Sequence, residues 1–147
     1  ATVPMVGICF GHQIIAQALG GHVEKFSGGW AVGRQEYKFD GFGQVALDAW
    51  HQDQVVERPA GALVIATNDF CENAALVYSD RALTIQAHPE FENPLIAEYL
   101  DLRRGTGTYP DAIMDDATKR IAQPIQNDLL ADRIARFFKQ SRAAGTI

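Results

Sequence analysis

The chain has 147 residues, 47% of them hydrophobic and 21% charged, with a net charge of −5. That is the size and composition of one globular domain, which excludes a disordered or collagen-like chain. The acidic balance offers no basic footprint for nucleic acid or an anionic membrane, and no apolar run is long enough to span a bilayer. Two cysteines, Cys9 and Cys71, cannot frame a small disulfide scaffold, and no charged-then-apolar leader is visible. The cytoplasm is therefore the expected location.

In chain order, residues 3–8 are a short apolar run and predict a buried strand. Residues 11–19 carry Ile14, Ile15, Ala18 and Leu19 at helical spacing, and Gly20-Gly21 supplies the stop. Over residues 22–78 the pattern changes to alternation. Tyr37, Phe39, Val45, Leu47 and Ala49 alternate with polar residues, and Gly28, Gly29, Gly33, Gly41 and Gly43 punctuate them as turns. Residues 63–66, 74–78 and 83–87 predict further strands. After Pro89 the texture is helical, with helices predicted over 94–102, 111–122 and 126–141. Ile125, Leu129, Ile134, Phe137 and Phe138 lie roughly on one stripe of the last. The sum is an α/β chain with an antiparallel excursion in the middle and a helical C-terminal tail over 93–147. No linker divides it.

Two motifs carry chemistry. In Gly7-Ile8-Cys9-Phe10-Gly11-His12-Gln13 a nucleophile stands between a predicted strand and helix, with glycine two residues before and two after. Such a turn is expected to admit only glycine at its flanks and to hold Cys9 in a strained conformation. The helix N-terminus behind the sulfur would favour the thiolate, and the Phe10 N–H would donate to an oxyanion. Without its strand and helix the same pattern also fits a buried structural cysteine. The second motif is Gln86-Ala87-His88-Pro89-Glu90, at the end of a predicted strand. His88 can act as a base toward Cys9, and Glu90 can orient the imidazole across a backbone stiffened by Pro89. Taken alone, it also fits a surface turn that contains a histidine.

Together the two motifs resemble the class I, triad-type glutamine amidotransferases, the family of the glutaminase domains of GMP synthase, anthranilate synthase and carbamoyl phosphate synthetase. The resemblance runs over residues 3–91. It implies a flavodoxin-like fold with a mostly parallel central sheet and flanking helices. It also implies amide hydrolysis through Cys9, His88 and Glu90 by way of a γ-glutamyl thioester. Phe10 would supply half of an oxyanion hole, and Gln13 would lie near the substrate. The family's Ser/Asn-His-Gly-Asp-like segment, which also touches the substrate, matches Trp50-His51-Gln52-Asp53-Gln54-Val55, with Gln52 where glycine is common. L-glutamine would be the substrate, and the ammonia would pass to a synthetase or another acceptor partner. No cofactor and no metal are expected.

The other residues have plainer readings. His51 lacks a following Pro-Glu and is read as a structural or substrate-shell residue. His12 is expected to pack behind the turn, His22 to be solvated, and Cys71 to be a half-buried thiol without a role. Ser27-Gly28-Gly29 reads as a turn, Asp115-Asp116 as a solvated helix start and Arg103-Arg104 as a helix end. Two alternatives stay open: a γ-glutamyl peptide hydrolase, and a non-catalytic regulatory module that keeps the fold. Cys9 lies close to residue 1, whereas the resemblance implies further strands and helices before it. Residues 1–147 are therefore expected to be the C-terminal part of one such domain, from a stand-alone protein.

Overall fold

Turn residues cut the chain close to where the pattern predicts. The computed structural model describes residues 3–144, with side chains described through residue 140. The strands are β1 (Met5–Ile8), β2 (His22–Lys25), β3 (Ala31–Phe39), β4 (Gly43–His51), β5 (Asp53–Glu57), β6 (Leu63–Thr67), β7 (Ala75–Tyr78) and β8 (Ala82–Ile85). The helices are α1 (Phe10–Ala18), α2 (Asn93–Arg103), α3 (Asp111–Arg120) and α4 (Asn127–Ala144). The end of the expected tail, residues 145–147, lies outside the described residues.

Among the described residues one sheet runs β1-β8-β7-β6-β3-β4, and β2 pairs with β5 in a second. The α/β class is as expected, and the central sheet is mixed. Its one parallel pair joins β1 to β8, from Met5↔Ala82 to Ile8↔Ile85, and the other pairs are antiparallel. The expectation of a mostly parallel sheet is corrected to that extent. The reason lies in the connections: parallel neighbours need a crossover of a dozen or more residues, and the links from β3 to β4 and from β6 through β8 are short turns. The strand expected over 83–87 ends at Ile85, and His88 instead forms an isolated bridge with Asp48. The segment 50–55 bends at Gln52, which places Trp50 and His51 on β4 and Asp53 on β5.

Three apolar clusters hold these layers. Tyr37, Leu47, Leu83 and Ile85 form the largest, with Leu130 of α4 seated on it. Ala16 of α1 packs with Val55, Leu76 and Tyr78 on the opposite side. Ile96, Leu100, Met114 and Ala117 of α2 and α3 close over Val32, Trp30 and Trp50. Among the described residues no helix is long and apolar enough to cross a membrane.

Candidate active site

β1 delivers Cys9 to the edge of the sheet. Its backbone N–H donates to the Ile85 carbonyl at 2.8 Å, extending the β1–β8 ladder by one residue. Cys9 then turns the chain into α1 at φ 49°, ψ −100°, a left-handed conformation that a side chain adopts only under strain. At Gly7 a Cβ would stand 2.6 Å from the Gly11 carbonyl oxygen, so glycine is required there by close approach. The same demand fails at Gly11, where a Cβ would meet open space. The turn is tight on one flank only.

The sulfur is not preset as a thiolate. Burial pushes the Cys9 thiol above its ordinary range, and this outweighs the Phe10 backbone N–H, which pulls it down. Glu90 adds to the upward push, while the Gln86 amide opposes it. The Phe10 N–H at the helix N-terminus pulls toward thiolate as expected, but desolvation of the half-buried sulfur is the larger effect.

Three side chains the motifs name are tied together beneath the sulfur. Gln86 Nε2 donates to Cys9 Sγ at 3.6 Å, Gln13 Nε2 donates to Gln86 Oε1 at 3.2 Å, and the same Gln13 amide reaches the Asp53 carbonyl at 2.8 Å. His12 is buried behind the turn, its Nδ1 2.8 Å from Thr84 Oγ1, and burial, reinforced by nearby His51, lowers its pKa to about 3. His22 is exposed beside Glu24. Cys71 is fully rather than half buried, and burial pushes its thiol up to about 12.

His88 follows three residues after the carbonyl that holds Cys9. Its backbone N–H donates to the Asp48 carbonyl at 2.8 Å, its Nδ1 lies 2.7 Å from Glu90 Oε1, and its ring stacks on Phe91 at 3.9 Å and 4°. Among the described residues no hydrogen bond joins the His88 ring to Sγ; Gln86 is the donor found there. Cys9, Gln13, His51, Gln52 and Asp53 do converge, on an open cleft of about 450 Å³ also lined by Lys25, Trp30 and Trp50. His51 is buried at its wall, and burial lowers its pKa to about 4.

Comparison with known proteins shows the family. A family model described as glutamine amidotransferase class-I matches residues 1–99. The chain belongs to the class I glutamine amidotransferase family. It is 32% identical over 142 residues to a glutamine amidotransferase-like protein of Schizosaccharomyces pombe, covering 92% of this chain and 57% of that protein. It is 36% identical over 104 residues to a GMP synthase subunit of Methanopyrus kandleri, covering 61% of this chain and 53% of that protein. Against γ-glutamyl peptidase 2 of Arabidopsis thaliana the identity is 32%, over 66% of this chain and 44% of that protein. The chain thus spans about half the length of these relatives. Two solved structures share its fold. A glutamine amidotransferase from Thermotoga maritima gives a TM-score of 0.71 at 23% identity, covering 93% of this chain and 63% of that one. One from Methylobacillus flagellatus gives 0.73 at 22%, covering 95% and 64%.

Several residues of this candidate site carry no sequence signal of their own role. Gln86 sits inside the second motif, yet only the β1–β8 pairing brings its amide under Cys9. Trp50 Nε1 donates to Tyr109 Oη at 3.1 Å, and Trp30 packs edge-on to the same ring at 4.6 Å. The helical tail thereby braces two tryptophans of the cleft wall, through a contact 59 residues distant in sequence. Asp48, buried under His88 with both carboxylate oxygens unpartnered, read as one more polar residue of an alternating strand.

Proposed function

We propose that this chain carries the nucleophile and base of a glutaminase, hydrolysing the side-chain amide of L-glutamine. The observation that carries the reading is the strained Cys9 just past β1, with a hydrogen-bonded His88–Glu90 pair on the segment that follows its parallel neighbour β8. A sulfur kept protonated by burial needs a base at the moment of attack. Glu90 on Nδ1 leaves Nε2 of His88 as the atom to take that proton. Sulfur then bonds to the amide carbon, the Phe10 N–H donates to the oxyanion, and collapse forms a γ-glutamyl thioester as His88 protonates the departing ammonia. Water, deprotonated by the same imidazole, releases glutamate. The His88–Sγ hydrogen bond would form when substrate fills the cleft, since catalytic hydrogen bonds commonly close only in the complex.

Gln13, Trp50, His51, Gln52 and Asp53 line or brace the substrate cleft in this reading, with the Asp53 carboxylate suited to the α-ammonium group. Ammonia would pass to an acceptor enzyme, and the reduced cytoplasm suits a working thiol. The same steps would cleave a γ-glutamyl peptide, for which the openness of the cleft leaves room. The test is release of ammonia from L-glutamine and of free amine from a γ-glutamyl peptide. Glutamine turnover should fall at least about a thousand-fold in Cys9→Ala, the usual scale for losing a nucleophile. Turnover that survives Cys9→Ala would contradict the proposal, and amine release without glutamine turnover would favour the peptide hydrolase.

A further inference from the structure

The cleft holds a cation that the proposed mechanism leaves unused. Lys25 ends β2, directly opposite Asp53 on β5, and both side chains line the cleft that contains Cys9. Opposed residues of an antiparallel pair share a face with Cβ atoms about 4.5–5.5 Å apart, so opposite charges there ordinarily meet. These two do not: among the described residues neither the Lys25 ammonium nor the Asp53 carboxylate has an ion-pair or hydrogen-bond partner. Glu24, the acid next to Lys25 on β2, lies 3.5 Å from His22 instead. The strand end itself is anchored. Phe26 N–H donates to the Gln52 carbonyl at 3.2 Å, and Gln52 Nε2 reaches back to the Phe26 carbonyl at 3.4 Å.

We propose that Lys25 binds the α-carboxylate of the γ-glutamyl group, so that Lys25 and Asp53 together recognise its zwitterionic end. In glutamine the α-carbon lies roughly 4 Å beyond the amide carbon that Sγ would attack, by standard bond lengths. A substrate bonded at Cys9 therefore reaches only a short way along the cleft, and its ammonium and carboxylate need opposite charges side by side. Lys25 and Asp53 are an uncommitted pair of that kind on the cleft wall. Trp30 and Trp50 line the same cleft, and a substrate that displaces water from it would strengthen a charge-assisted contact. Glutamine and γ-glutamyl peptides share this end, so Lys25 selects for a free α-carboxylate without choosing between leaving groups. The inference rests on Cys9 as the reacting sulfur.

The test compares L-glutamine with L-glutaminamide, which has the same γ-amide and α-amino group but no α-carboxylate. Protection of Cys9 from iodoacetamide, followed by intact mass, reports binding; ammonia in the same samples reports turnover. L-glutamine should protect at about ten- to a hundredfold lower concentration than L-glutaminamide, the scale of one hydrogen bond to a charged group. Lys25→Met should erase that preference and Lys25→Arg should keep it. Equal protection by the two ligands, no protection by L-glutamine, or a preference that survives Lys25→Met would overturn the proposal. A preference that depends on Lys25 without ammonia release from any sample would uphold the contact and count against the hydrolase reading alone.

Discussion

Asp48 is a buried carboxyl of the sheet. Its carboxylate is fully buried with neither oxygen bonded, and burial pushes its pKa up to about 6 from the ordinary 3.8, against the pull of Arg34 and Arg120. Those guanidiniums are engaged elsewhere, Arg34 with Glu36 and Arg120 with Asp116. A raised carboxyl pKa means that the folded chain holds its proton more tightly than the unfolded one. This residue's contribution therefore falls as pH rises through the window from about 4 to about 6, and stays low above it. His12 and His51 act in the opposite sense: burial lowers both, so their contribution is lost as pH falls from about 6.5 toward about 3 and about 4. Asp48→Asn should isolate the first effect. Relative to the unmodified chain it should gain up to about 3 kcal/mol between pH 4 and pH 7, about two pKa units at 1.36 kcal/mol each. Denaturant melts at the two pH values check this, and a difference independent of pH would contradict it.

At the scale of elements, two glycines meet a steric demand that a third does not. Gly33 lies on β3 at φ +69°, where a Cβ would stand only 3.0 Å from Ala117 Cβ of α3, so the helix seats directly on the strand's backbone. Gly33→Ala should cost about 1–3 kcal/mol, the usual toll of a left-handed non-glycine residue. Gly7→Ala should be at least as harmful, because its methyl group would strike backbone. Gly11→Ala should stay within about 1 kcal/mol of the unmodified chain, since alanine suits a helix start with open space. Thermal unfolding of the three variants gives the order, and a Gly11→Ala loss equal to that of Gly7→Ala would contradict it. The elements themselves were legible in the sequence, because period and turn chemistry are local. Residues 11–19, 63–66 and 94–102 each gave an element within a few residues of its observed bounds. The demand at Gly7 but not at Gly11 was not legible, because it depends on where the α1 backbone crosses β1.

For the whole molecule, the site is a junction. The β1–β8 pair brings Cys9 beside the strand that leads to His88, the β2–β5 pair brings Lys25 and Asp53 to the cleft, and the loop between α2 and α3 brings Tyr109 against Trp50 and Trp30 of its wall. The two chemical motifs were legible because each is contiguous. Lys25, Gln86 and Tyr109 were not, because pairing across 28, 77 and 59 positions respectively brings them there. The same folding separates the two thiols, leaving Cys9 on the cleft and Cys71 in the core. The central claim is that Cys9 attacks the γ-carbonyl of a bound γ-glutamyl group. The most direct measurement is peptide mass mapping after incubation with a diazo-ketone analogue of glutamine. One adduct is expected, on Cys9, formed faster as pH rises toward the raised thiol pKa and suppressed by L-glutamine, with Cys71 unmodified. Equal labelling of Cys71, or labelling of Cys9 that L-glutamine leaves unchanged, would contradict it.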